Sequence, residues 1–235
     1  MTPRSSLVAV LAAFVWSCAP AAASTGELDE PGLSAHWAEV LAPEVARHNP
    51  AEDSSAVTRL KLRTEDGTPE LVRIVDTTTD KRGIRWVRVH LPIRPNGTLG
   101  WVRRSALGGF HETKSWLLID RRRLRAVLIR GGRVAFSAPI GIGLPKWPTP
   151  AGEFYIRNRL SGYGLGTIYG PLAFGTSAKS AVLTDWPGGG VIGIHGTNKP
   201  ELLPGRVSHG CIRMKNRDIL RLDRLMGVGT PLTIR

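Results

Sequence analysis

Short runs in which apolar and polar residues alternate recur along most of this chain, and that period of two is the strongest constraint on its fold. Thr58-Arg59-Leu60-Lys61-Leu62-Arg63, Leu71-Val72-Arg73-Ile74-Val75 and Trp86-Val87-Arg88-Val89-His90-Leu91 each divide their side chains between two faces, as a half-buried strand does. Trp116–Asp120, Leu124–Ile129, Val134–Gly141, Glu153–Ile156 and Thr230–Ile234 continue the pattern. Asn96-Gly97 supplies a hairpin turn between Leu91–Ile93 and Leu99–Val102. A helical period is convincing once, over Asn216–Met226. There Ile219, Leu220, Leu222 and Met226 share a face, Asn216 caps the start and Gly227 follows the end. The sequence therefore predicts a mostly-β fold with one helix near its C-terminus.

Composition shifts divide the chain. Met1–Ala23 has a short basic start at Arg4, an apolar run over Leu7–Trp16 and small residues at Ala21-Ala22-Ala23, the layout of a signal peptide cleaved near Ala23. The apolar run is too short for a permanent span. The product is expected to be exported, to the cell wall or the outer face of the cytoplasmic membrane. Lipidation at Cys18, within Val15-Trp16-Ser17-Cys18, and a retained signal anchor stay open as alternatives; the bulky Trp16 fits the former badly. Residues 24–55 read as a polar linker with one short helical candidate, Leu33–Arg47, interrupted by Pro43. Residues 56–110 read as a small barrel and residues 114–235 as a second strand-rich domain.

The 235 residues carry a net charge of +13, or +12 once Arg4 leaves with the signal (13 − 1). Such a surface suits anionic partners. Export and the lack of any nucleic-acid-binding motif argue against DNA or RNA, which leaves an anionic wall polymer or membrane surface.

Removing the signal leaves Cys211 as the only cysteine. An exported protein normally pairs its thiols or dispenses with them, so a lone one asks for a chemical reason. His195 lies sixteen positions upstream, at the end of the apolar run Val191-Ile192-Gly193-Ile194. Thiol and imidazole together form an activated sulfur nucleophile. Gly196 lets a backbone carbonyl approach the imidazole, and Gly210 allows a tight turn whose N–H groups meet an oxyanion. His209 competes with His195 as base. Arg213 suits a substrate carboxylate, with a surface arginine bracing the turn as the other reading. A metal held by His195, His209 and Cys211 is disfavoured, because no fourth ligand or closely spaced carboxylate accompanies them.

The run Ile194-His195-Gly196-Thr197-Asn198 followed by Val207-Ser208-His209-Gly210-Cys211-Ile212-Arg213-Met214 resembles the signature of the L,D-transpeptidase (YkuD-type) family. The likeness extends from about Lys114 to the C-terminus and includes Pro148-Thr149-Pro150-Ala151-Gly152-Glu153-Phe154. It implies an L,D-transpeptidase-type β-sandwich with one helix after the catalytic Cys, no metal or organic cofactor, and peptidoglycan stem peptides as substrates. In that scheme Cys211 attacks, His195 is the base oriented by the Gly196 carbonyl, and Ser208, His209 and Gly210 shape the site. The Gly210 and Cys211 amides meet the oxyanion, and Arg213 faces substrate carboxylate. A 3→3 cross-link is the expected product. Hydrolysis of the same thioester (an L,D-carboxypeptidase) and a non-catalytic wall-binding module are the alternatives. The segment with Trp86-Val87-Arg88-Val89, Asn96-Gly97 and Gly100-Trp101-Val102-Arg103-Arg104-Ser105-Ala106-Leu107 resembles an SH3-like bacterial wall domain. Its basic strands, Trp86 and Trp101 are then wall-contact candidates, and the domain after Lys114 is expected to be acylated without residues 24–107.

Overall fold

The structure, a computed structural model, describes residues 33–184 and 189–235; the expected signal peptide and Cys18 lie outside the described residues. Two sheets follow one another and meet at Lys114. The first contains seven antiparallel strands in the order Ala56–Leu60, Glu44–Arg47, Leu99–Arg103, Arg85–His90, Leu71–Thr79, Ala35–Glu39, His111–Thr113. Alternation along its central strands buries Val72, Ile74, Val87, Val89 and Val102 in one core.

Two expectations for this half are corrected. The segment read as a polar linker with a helix over Leu33–Arg47 is a pair of strands, Ala35–Glu39 and Glu44–Arg47. His36 pairs with Ile74 and Ala38 with Val72, and Ala38 and Val40 are buried two positions apart. Pro43, which cannot donate to a ladder, sits in the connection between the two strands. Trp86 and Trp101 are core residues, 0% and 9% exposed, so neither presents a ring to a wall polymer. The Trp86 indole N–H donates to Asp80 Oδ2 at 3.0 Å.

The second sheet has ten strands. Their order is Arg133–Pro139, Arg125–Arg130, Ser115–Asp120, Pro231–Ile234, Gly152–Ser161, Leu172–Lys179, Val191–His195, Ile212–Arg213, Gly141–Gly143, Gly205–Ser208. Phe136, Phe154, Ile156, Phe174 and Ile194 fill its core, against which Ile219 and Leu222 of the helix Asn216–Asp223 pack. The helix is shorter than expected. Its cap position is Lys215, because the Asn216 side chain is engaged elsewhere, as described below.

The two sheets are joined by buried polar contacts. Arg157, 4% exposed, donates from Nε to Glu70 Oε1 at 3.0 Å and from Nη2 to Glu70 Oε2, and from Nη1 to Glu65 at 2.9 Å. Lys179 Nζ reaches the other Glu65 oxygen at 3.0 Å. Asn158 Nδ2 donates to Asp66, and the buried Tyr155 hydroxyl donates to the Leu71 carbonyl. Removing one partner of a buried ion pair strands the other charge away from water, at a cost of about 3–5 kcal/mol. Deleting residues 24–107 would strip Arg157 of both carboxylates and leave its buried charge unpaired in the second sheet.

Glu70→Ala should lower unfolding stability by about 3–5 kcal/mol in urea; a loss under about 1 kcal/mol would show that water replaces the carboxylate. The interface should also be acid-labile. Burial works to raise the Glu65 pKa, but the Arg157 charge and its hydrogen bonds outweigh this and hold it at about 2 against an ordinary 4.5. Its stabilisation is therefore complete above pH 4.5 and lost as pH falls from 4.5 towards 2. Glu65→Gln should flatten that part of the stability profile.

Candidate active site

Strand register builds the site. Val191–His195 runs parallel to Ile212–Arg213, with Ile194 opposite Ile212 and His195 opposite Arg213. Continuing that register two residues back sets Gly193 beside Cys211. Side chains two apart share a face, so His195, Cys211 and Arg213 all project from one side while Ile194 and Ile212 enter the core. Gly193 lies beside both side chains: a Cβ there would be in ordinary van der Waals contact, 3.9 Å from Cys211 Sγ and 4.0 Å from His195 Cδ2. The Gly193 N–H donates to Sγ at 3.4 Å.

His195 is 3% exposed, and its Nδ1 lies 2.6 Å from the Gly196 carbonyl. A carbonyl only accepts, so Nδ1 carries the proton and Nε2 is left as the basic nitrogen. Gly196 admits no side chain, since a Cβ would fall 2.5 Å from Asn216 Oδ1 and 2.9 Å from Pro171 Cδ. Asn216 Oδ1 accepts the Thr197 N–H at 2.8 Å, which ties the helix start to the loop that orients the base.

The turn that carries Cys211 is held by a hydroxyl of its own, that of Ser208. Ser208 Oγ donates to the Cys211 carbonyl at 2.6 Å and accepts the Gly210 N–H at 3.1 Å. That bond occupies the Gly210 amide, which was expected to meet an oxyanion, and turns it to holding the loop. Gly210 has φ +119°, and its carbonyl accepts from buried Thr149 Oγ1 at 2.7 Å. His209 lies on the rim with its ring 4.0 Å from that of Trp147, whose face also carries Lys146 Nζ at 3.9 Å. His195 carries a carbonyl-oriented ring beside Cys211, while the His209 ring packs on Trp147. Arg213 is half-buried beside both reactive groups, and its Nε is buried with no hydrogen-bond partner among the described residues.

Burial sets the protonation states. It pushes the His195 pKa down to about 4, with Arg213 adding to the fall and the Gly196 carbonyl opposing it. Burial pushes the Cys211 thiol up, while the Gly193 N–H and Arg213 pull the other way. Burial thus works against the charged form of each group, thiolate and imidazolium alike.

Sequence reading gave no role to four contributors. Tyr169, in the turn Thr167–Tyr169, places its ring 4.8 Å from that of His195. Thr149 braces Gly210 from below. Asn96 comes from the other sheet: its Nδ2 donates to the Lys179 carbonyl at 2.8 Å and its Oδ1 accepts the Lys179 N–H at 3.0 Å. Arg94 reaches the carbonyls of Ser180 and Gly189 nearby. These contacts fix the start and end of the segment that supplies Ser180, Leu183, Gly190 and Val191 to the cleft. The cleft holds about 510 Å³ of open space above Cys211. Asn96-Gly97 signals a turn from sequence, and nothing local shows that the amide inserts into a second sheet.

A mostly-β fold in which a thiol and a carbonyl-oriented imidazole share a cleft defines the class. The chain belongs to the L,D-transpeptidase catalytic domain family, YkuD, whose family model matches residues 114–234. It is 40% identical over 102 residues to the protein named L,D-transpeptidase YkuD in Bacillus subtilis (strain 168), covering 43% of this chain and 54% of that one. It is 30% identical over 129 residues to L,D-transpeptidase YqjB of the same organism, covering 51% of this chain and 70% of that one. Among solved structures it is similar to the C442S mutant of Enterococcus faecium L,D-transpeptidase, 24% identical over 52% of this chain and 49% of that chain, with a TM-score of 0.41. The chain thus spans about half the length of the YkuD relative.

With burial raising the Cys211 thiol, its alkylation rate by iodoacetamide should rise through a single inflection above the ordinary thiol value of 9.0. A fast, flat rate at acid pH would instead reveal a preformed ion pair. The acid limb of any acyl transfer should fall near pH 4, where His195 protonates, not near 6.5. Asn96→Ala should leave small-reagent alkylation unchanged while slowing acylation by a bulky donor; equal effects on both would remove Asn96 from the cleft wall.

Proposed function

We propose that the protein is an exported peptidoglycan L,D-transpeptidase that forms 3→3 cross-links between stem peptides through a Cys211 thioester. The observation that carries the reading is that His195, at the end of Val191–His195, and Cys211, just before the parallel strand Ile212–Arg213, line one cleft, with His195 Nδ1 held by the Gly196 carbonyl. Family membership supplies the reaction class.

As Sγ attacks the carbonyl of the diamino acid at stem position three, His195 Nε2 takes the thiol proton. The tetrahedral oxyanion is met by the Cys211 N–H and the neighbouring Arg213 charge, within a turn that Ser208 holds rigid. Collapse breaks the C–N bond, and the imidazolium gives its proton to the departing D-alanine amine. The amine of a second stem then adds to the thioester and gives its proton to His195. Collapse forms the new amide and expels the sulfur, which regains the proton. A neutral imidazole suits this route, because it takes a proton only when the bond forms. The basic surface would keep the enzyme against an anionic wall or membrane, and the first sheet, similar in sequence to SH3-like wall modules, would brace the cleft wall through Asn96.

Mass spectrometry of muropeptides after incubation with a tetrapeptide substrate tests this. Cross-linked dimer that requires Cys211 is the expected product. Trimmed tripeptide alone would assign an L,D-carboxypeptidase, and no product would leave a binding module. Cys211→Ala should abolish product with the fold intact, and His195→Ala should reduce turnover about 10²–10⁴-fold. Near-normal turnover in either variant removes that residue from the proposed chemistry.

A further inference from the structure

We propose that a recess on the catalytic domain, separate from the thiol cleft, is a binding site for a phosphodiester-linked polyanion. Its lining is wholly charged: Asp120, Arg121, Arg122, Arg123, Arg206 and Arg235, around about 1120 Å³ of open space. Three distant stretches of chain converge there. Arg121–Arg123 form the turn after the strand Ser115–Asp120, Arg206 lies in Gly205–Ser208, and Arg235 follows Pro231–Ile234.

Asp120 is the one acidic side chain among five guanidinium groups. Asp120 Oδ1 is occupied by the backbone N–H groups of Arg122 and Arg123, at 3.0 and 2.8 Å. Its Oδ2 lies 3.5 Å from Arg123 Nη1 and 3.9 Å from Arg235 Nη2. Arg122 and Arg206 have no ion-pair partner among the described residues, and both are exposed. Arg121 donates from Nη1 to the Thr149 carbonyl at 2.8 Å, and its Nε is buried with no hydrogen-bond partner among the described residues. The fold therefore concentrates positive charge in a concavity and leaves most of it uncompensated.

The chemistry of the lining selects the occupant. Guanidinium forks pair with phosphate oxygens two at a time, which a lysine surface would not do. Cations spread over three chain segments fit a row of phosphates better than a single ion. No apolar side chain lines the recess for insertion into a bilayer, and no aromatic ring lines it for base stacking. A phosphate-bearing polymer strand satisfies all three conditions. The recess is also wired to the nucleophile turn: Arg121 holds the Thr149 carbonyl, and Thr149 Oγ1 holds the Gly210 carbonyl. A polymer anchored there would lie against the element that braces Cys211.

The test titrates the full chain with inorganic pyrophosphate, with synthetic poly(glycerol phosphate) and with phosphatidylglycerol vesicles, by calorimetry at low and high salt. The polymer should bind saturably, more tightly than pyrophosphate, and weaken with salt. Arg122→Gln with Arg206→Gln should lower polymer affinity by about tenfold or more. Arg85→Gln with Arg133→Gln removes the same charge from exposed positions elsewhere and should lower it by less than about twofold. Thermal midpoint and Cys211 alkylation should be unchanged in both pairs. Equal losses in the two pairs, or retained binding in the first, overturn the site in favour of diffuse net charge. Binding to vesicles without binding to polymer overturns the choice of ligand, as does pyrophosphate binding alone. Cys211→Ala should keep full polymer affinity, so failure of the transpeptidase reading and failure of this one are read separately.

Discussion

Arg157 imposes the constraint on which the rest of the arrangement depends. A guanidinium cannot shed its charge, so burying it between two sheets obliges the other sheet to supply anions at fixed positions. Glu70 and Glu65 do so, and the strand Leu71–Thr79 begins immediately after Glu70. Once that strand is fixed, the loop carrying Arg94 and Asn96 is fixed with it through the neighbouring strand Arg85–His90. Those two residues hold the segment that walls the cleft. A pair of apolar residues could supply comparable stability at this spot, but would not specify one register between the sheets. Lys114 is therefore a boundary in sequence and in topology, and not a mechanical one.

At the site itself the decisive element is short. Only two residue pairs link Val191–His195 to Ile212–Arg213, yet parallel pairing of that length places thiol, imidazole and guanidinium on one face. Backbone clearance is tight at Gly196, where a Cβ would fall 2.5 Å from Asn216 Oδ1 and 2.9 Å from Pro171 Cδ. Burial opposes ionisation of both the thiol and the imidazole, and the fixed charge of Arg213 works with burial at the imidazole and against it at the thiol.

How much of this is legible in the sequence follows from how local each signal is. Strands with one solvated face announce themselves by alternation, and most of those expected are found within a residue or two. Leu172–Lys179 gives no such signal because all eight residues are buried, so neither face is polar. Leu33–Arg47 misleads in the opposite sense: its few apolar residues fit a helical face until the pairing with Leu71–Thr79 is known. Cys211, His195, Gly196 and Ser208 are legible because they fall in two short runs, 194–198 and 207–214, each contiguous in itself. Asn96 and Asn216 are not, since each looks locally like a turn or cap residue while its amide serves a distant backbone group. Gly210 is legible as a turn, but not the Ser208 hydroxyl that takes up its N–H.

Arginine does different work at different depths in this molecule. Arg157, paired on both sides, is structural. Arg213, half-buried and beside the reactive pair, lowers the pKa of both groups, and so favours thiolate over thiol and neutral imidazole over imidazolium. The five around Asp120 are mostly exposed and share one carboxylate, so their mutual repulsion is relieved chiefly by solvent and counterions. A net charge read from composition cannot separate these roles, because each depends on burial and on the nearest anion. The part of the charge that is free to meet an external polyanion is the part that the fold gathers and leaves unpaired, and that part lies two hydrogen bonds from the nucleophile turn through Thr149.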